Sequence, residues 1–163
     1  MIAGAVRENS FFARRGAEDA EEEDVRDIDA ISGDVVDVAL RLHRDLGPGL
    51  LESVYEAVLA VRLGQMGYAV VRQQPVDIEF EGVRIDGAFK MDLLVDGRLI
   101  IEVKSVERLL PVHAKQLLTY LRLTKRPVGL LINFGGETLK EGVRRLVNNH
   151  RPSALSAPLR VKN

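Results

Sequence analysis

Apolar residues first recur at helical spacing from Ile28 onward. Ile28, Ile31, Val35, Val38, Ala39 and Leu42 fall at steps of three and four, which is one face of a helix. Gly47-Pro48-Gly49 ends that helix, since proline cannot continue it and glycine accepts a left-handed cap. A second stripe, Leu51, Val54, Tyr55, Val58, Leu59 and Arg62, predicts another helix that stops near Gly67. The period then changes to two. Val76, Ile78 and Phe80 alternate with Asp77 and Glu79, and Glu81-Gly82 turns the chain. Further strands are expected at 84–95 and 99–106, joined around Asp96-Gly97. Leu99-Ile100-Ile101-Glu102-Val103 is nearly all apolar, as in a central strand covered on both faces. Pro111 opens a helix through Leu123, Val128–Asn133 is a short apolar strand, and Gly135-Gly136 breaks it. Leu139, Val143, Leu146 and Val147 predict a last amphipathic helix. The order α-α-β-β-β-α-β-α describes one α/β domain over residues 27–150. Its last strand, reached through a helix, is expected to run parallel to the strand before it.

Residues 1–26 sustain no apolar period and contain the acidic run Glu18–Asp24. They read as a disordered acidic leader. The functional alternative is an electrostatic mimic of a phosphate backbone that fills a basic groove. Residues 151–163 hold two prolines and no period, and read as an irregular tail.

Composition narrows the chemistry. A chain of 163 residues, 46% apolar and 29% charged, suits one globular domain with its own core. It has no cysteine, which excludes disulfides, a thiolate zinc site and a cysteine nucleophile. His43, His113 and His150 are too far apart for an HExxH helix. No apolar run approaches the roughly 18 residues that span a bilayer, and the first residues lack a basic-then-apolar signal layout. The expectation is a cytoplasmic protein with no membrane partner. The net charge of -1 conceals a split. Residues 1–34 carry ten acidic and four basic side chains, or −6; the remainder carries 19 basic and 14 acidic, or +5. The domain itself is mildly basic, which permits a polyanionic partner without demanding one.

The central strand breaks its own apolar rule. Glu102 and Lys104 are two apart and share a face, and Asp92 sits in the preceding strand between Met91 and Leu93-Leu94. Buried charges are costly unless paired or bound to a cation. Two carboxylates and a lysine on adjacent strands suggest a divalent-metal site, with Mg²⁺ or Mn²⁺ favoured by hard oxygen ligands. The competing reading is a structural Glu–Lys–Asp network. Register separates them. A two-residue loop at Asp96-Gly97 pairs Val95 with Arg98 and turns Asp92 away from Glu102. A three-residue loop ending at Gly97 pairs Leu94 with Arg98, and sets Asp92 opposite Ile100, diagonal to Glu102 on one face. On the next helix, His113, Gln116 and Tyr120 share a face at helical spacing. Upstream, Glu52 and Tyr55 are three apart after the glycine loop. Glu52 also suits the first helical turn as a dipole partner, Tyr55 suits the core, and His43 suits a helix C-terminus.

Gly49-Leu50-Leu51-Glu52-Ser53-Val54-Tyr55 resembles the signature of the GxxExxY proteins, a family placed in the PD-(D/E)XK nuclease superfamily. The match extends, in order, through His43, Leu46–Gly49, Asp92, Glu102-Val103-Lys104, Val112-His113, Gln116, Tyr120 and Gly129–Gly135. The resemblance implies a restriction-endonuclease-like core, α-β-β-β-α-β, with a mixed four-stranded sheet flanked by helices; the chain would add a C-terminal helix. It implies that Asp92 and Glu102 ligate the metal, with the Val103 carbonyl as a third ligand and Glu52 as an extra acidic one. Lys104 would position or activate water, or neutralise the phosphate. Gln116 and Tyr120 resemble the QxxxY element that orients substrate or supports the site. His43, Tyr55 and His113 are candidate substrate-binding residues. The superfamily's proline is absent, Met91 standing before Asp92. The function implied is metal-dependent hydrolysis of phosphodiester bonds in nucleic acid, DNA before RNA. The alternative is a catalytically silent module that binds nucleic acid or protein. The apolar face of the first helix offers a surface for a homodimer or a larger complex.

Overall fold

A computed structural model describes residues 26–150. The expected leader, apart from Arg26, and the expected tail lie outside the described residues. Helix α1 spans Ile28–Leu46 and helix α2 spans Glu52–Gln65. Asp27 caps α1 by accepting the Asp29 N–H at 3.1 Å, which satisfies one of the donors a helix start leaves open. Strands β1 (Val70–Phe80), β2 (Val83–Val95) and β3 (Leu99–Lys104) form an antiparallel meander. Helix α3 (Pro111–Leu123) then crosses over to strand β4 (Val128–Asn133), which pairs parallel with β3 as expected. Strand β5 (Val143–Val147) closes the sheet, and the spatial order is β1-β2-β3-β4-β5.

The two faces of β3 and β4 carry different helices. Leu99, Ile101, Val103, Leu130 and Ile132 pack with α1 and α2. Ile100 and Leu131 pack with Leu117 and Leu121 of α3. Each such side chain contributes about 1.5–3 kcal/mol by leaving water, which holds α3 against the sheet more firmly than its own propensity could. Gly129 makes room for this contact, because an added Cβ would stand 2.9 Å from a Leu117 methyl.

One element differs from expectation. Residues expected to form a last helix instead make a short 3-10 turn, Lys140–Gly142, followed by β5. The positions Leu139, Val143, Leu146 and Val147 fit a helical stripe, but β4 is buried along its whole length and needs a hydrogen-bonding partner on its outer edge. Val143–Val147 supplies it, pairing Leu131 with Arg144 and Gly129 with Leu146. The sheet therefore has five strands rather than four. Arg145 and His150 both reach Asp29 at the start of α1, fastening this edge to the first helix.

The far half of the β1–β2 hairpin stands clear of the core. Phe80, Val83 and Ile85 are exposed there, and Glu81 and Gly82 take positive φ in the turn. No helix among the described residues is long and apolar enough to cross a membrane.

A candidate active site in the fork between β2 and β3

The β2–β3 connection is a three-residue loop, Asp96–Arg98, that pairs Val95 with Leu99 and Leu93 with Ile101. Asp96 and Gly97 both take positive φ, and the Arg98 N–H donates to the Val95 carbonyl at 3.0 Å. The odd loop was the condition for the two carboxylates to meet. Its register, continued by one residue, sets Asp92 directly across from Glu102 rather than diagonal to it.

Regular pairing stops at that point, and side chains take over from the ladder. Asp92 Oδ2 accepts the Val103 N–H at 2.9 Å, while Glu102 Oε1 accepts the Asp92 N–H at 3.3 Å. Strand β2 also turns over there: Met91 packs on the α3 side and Leu93 on the α1–α2 side, although they are two apart. Asp92 thus lies in the fork where two strands part, reached from both faces of the sheet.

Glu102 is 5% exposed and belongs to the α3 face, between Ile101 and Val103 of the opposite cluster. Burial, and then the neighbouring Asp92 charge, push its carboxyl up to about 8. Lys104 follows on the same face, half-buried, and its field opposes that rise. From α3, Gln116 Nε2 donates to the Tyr120 hydroxyl at 2.8 Å. Burial and the Glu102 charge raise the Tyr120 hydroxyl above its usual range, which places Tyr120 within the field of the carboxylates. Tyr120 is held by stacking on Phe89, with ring centroids 3.9 Å apart.

Helix α2 approaches from the other face. Glu52 Oε1 accepts the Ser105 N–H at 3.1 Å, and Ser105 Oγ donates to the Leu50 carbonyl at 2.7 Å. Glu52 therefore stands at the end of β3, one residue beyond Lys104. One turn later comes Glu56, which the apolar stripe of α2 does not single out. It is 4% exposed and receives Arg72 Nε at 3.0 Å and Gln73 Nε2 at 2.7 Å. Gln73 also donates to Asp92 Oδ1 at 3.3 Å, so an amide links the α2 carboxylate to the site carboxylate. Glu56 had one legible signal: it follows Glu52 at i+4 and stands next to Tyr55, which the structure buries with Leu59 and Leu63. Gln73 had none, because its role follows from a positive φ in β1.

The three candidate substrate-binding residues do not converge on the carboxylates. Tyr55 is fully buried, stacks on Phe134 at 4.4 Å, donates to the Gly47 carbonyl and accepts the Leu50 N–H. His43 is buried, and its Nε2–H donates to the Gly136 carbonyl at 2.8 Å. The Nδ1 atom of His113 accepts the Leu110 N–H at 3.1 Å, which ties down the start of α3. Each of these residues spends at least one polar atom on backbone and organises a loop.

The donor set around Asp92 and Glu102 suits a hard cation. Two carboxylate groups adjoin, one is driven toward its protonated form by burial and by the other, and a cation between them would relieve both effects. Among the described residues, however, no three acidic or histidine side chains already gather into a metal cage. Glu52 stands at the strand end without closing that set.

A family model described as the PD-(D/E)XK nuclease superfamily matches residues 29–146. The chain belongs to the PD-(D/E)XK nuclease superfamily. Members of this superfamily usually use divalent metals and act on nucleic acid. The matched span runs from α1 into β5 and includes the whole fork, so sheet and site fall within one family unit. No curated protein and no solved structure matched the chain.

Proposed function

We propose that this chain is a divalent-metal-dependent nuclease of the GxxExxY type, hydrolysing phosphodiester bonds in nucleic acid, with DNA the preferred substrate. The observation that carries the reading is the fork itself. Asp92 and Glu102 adjoin there, and Lys104 follows Glu102 on the same strand face. Asp92 and Glu102, with the Val103 carbonyl, would hold Mg²⁺ or Mn²⁺, and Glu52 would add a ligand from the start of α2. When bound, such an ion would stabilise charge on the scissile phosphate and acidify a water.

The chain's own residues have separate tasks. Lys104 places a positive charge where the phosphate gains negative charge in the transition state. Gln73 and the Val103 N–H hold the two Asp92 oxygens, so that side chain enters catalysis already oriented. Gln116 holds the Tyr120 hydroxyl, which feels the charge of both carboxylates, on the α3 side of the fork. Tyr55, His43 and His113 act one step away, by fixing the loops that carry Glu52 and the ends of β4 and α3.

One observation favours a second reading, a silent module that binds nucleic acid or protein without cutting it. The acidic side chains do not form a ready cage among the described residues. Cleavage assays separate the two. Single- and double-stranded DNA and RNA are incubated with Mg²⁺ or Mn²⁺, with Glu102→Ala and Lys104→Ala as controls. Cleavage that needs metal and is lost in both variants supports the nuclease. Binding without cleavage supports the silent module, and activity that survives both substitutions belongs to another site or a contaminant.

A further inference from the structure

The β5 edge replaces an expected helix, and it creates a cavity that the nuclease reading does not use. Its volume is about 660 Å³, and its lining includes Arg108, Asn133, Lys140 and Arg144 with Glu107 and Glu141. It opens where the loop after β3 meets the turn before β5. Its position relative to the fork follows from register. Glu102 pairs with Leu131, and Leu131 pairs with Arg144. The three stand in one row across the α3 face, since Leu131 and Leu146 both pack on that side. Two strand spacings separate Glu102 from Arg144, or roughly 10 Å. Leu131 between them is buried under α3, so a strand would reach the cavity around the ends of β3 and β4, where Lys104 pairs with Asn133, and not over that row.

The arginines are equipped for a phosphate. Nη1 of Arg144 donates to the carbonyls of Glu141 and Val143 at 2.7 and 3.0 Å. Those bonds aim the guanidinium and leave Nε–H and the Nη2 donors without a partner among the described residues. Arg108 makes no ion pair among the described residues and is exposed on the opposite lip. A guanidinium presents a planar fork that fits two phosphate oxygens, and its charge is permanent. Glu107 and Glu141 temper the field of the two arginines, which suits grip on one phosphate rather than on a dense anion.

We infer that this cavity is a subsite for a backbone phosphate a few nucleotides from the scissile bond, held by Arg108 and Arg144. The assignment rests on the nuclease reading for its substrate but has its own readout. Fluorescence anisotropy of labelled single-stranded and duplex DNA, in EDTA and over a salt series, measures binding without cleavage. Arg108→Ala with Arg144→Ala should weaken binding about tenfold or more. It should also flatten the dependence of log affinity on log salt by roughly 0.7–0.9 per arginine. Glu141→Gln, on an exposed side chain, should tighten binding. Thermal melting confirms that each variant folds. Unchanged affinity and slope in the double variant overturn the subsite, as does inorganic phosphate binding there while DNA affinity stays unaltered by the substitutions. Cleavage measured in parallel keeps the two readings apart. Wild-type cleavage with normal binding by the double variant removes the subsite alone. Arginine-dependent binding with no cleavage by any protein removes the nuclease alone.

Discussion

Glu102 concentrates the tension in this protein. It is the buried acid of a central strand, and its carboxyl is pushed up to about 8 by burial and by Asp92. In the unfolded chain it would lose its proton near the ordinary glutamate value. The folded, metal-free protein therefore binds the proton more tightly, and stability falls as pH rises through that window toward 8. Glu102→Gln removes the titration. The variant should melt higher than the wild type at pH 9 in EDTA and equally at pH 4, while metal-dependent cleavage falls about 10²–10³-fold or more. A wild-type protein as stable as Glu102→Gln at pH 9 would contradict the assigned burial effect. Tyr55 makes the opposite point, a signature residue with a structural task. Tyr55→Phe loses a hydroxyl that bonds both Gly47 and Leu50, at a cost of about 1–2 kcal/mol in urea unfolding. Because that loop carries Glu52, turnover should fall with it, and DNA affinity in EDTA should not.

Elements differ in how far their own sequences specify them. Helices α1 and α3 and strand β4 begin and end where periodicity, proline and glycine say they should. The stretch after Leu139 does not: its apolar spacing reads as a helix, and the need of β4 for an edge partner overrides it. Gly142 is where that choice is enforced. An added Cβ would overlap the Asn133 carbonyl oxygen, which is backbone and cannot yield. Gly142→Ala should therefore loosen the turn and β5 and lower the melting temperature markedly. Gly64 is its counterpart within α2, with open space around it and no left-handed backbone. Gly64→Ala should stabilise the protein by about 0.5–1 kcal/mol, by lowering unfolded-chain entropy and raising helix propensity. Equal effects of the two substitutions in parallel denaturant titrations would refute this distinction.

At the scale of the whole molecule, burial is concentrated in β3 and β4 and thins toward the hairpin tip. Every residue of β4 is buried, whereas most residues from Asp77 to Ala88 are exposed. Hydrogen exchange should follow that gradient, with β3 and β4 amides opening only on global unfolding and the hairpin tip opening locally. Tip amides as protected as those of β4 would mean that a partner or second copy covers the arm. On the hairpin, Arg84 pairs with both Asp77 and Asp86, so much of its charge is balanced locally.

By itself the sequence determined what local rules determine. Apolar period marked both core helices, the central strand and the crossover helix, and the lone acid and lysine within an apolar run marked the candidate site. The odd loop that the site required was legible as a condition, since only one parity of register brings Asp92 and Glu102 together. Tertiary structure decided what depends on neighbours distant in the chain. It set Asp92 across from Glu102 rather than diagonal, because the loop closed at Arg98 instead of Gly97. It recruited Glu56 through Gln73, a link made by a backbone kink that no spacing records. It turned a helix-like tail into β5, because an unpaired edge on a fully buried strand costs more than the helix could return. Local patterns report which face a residue prefers; only packing fixes what that face meets.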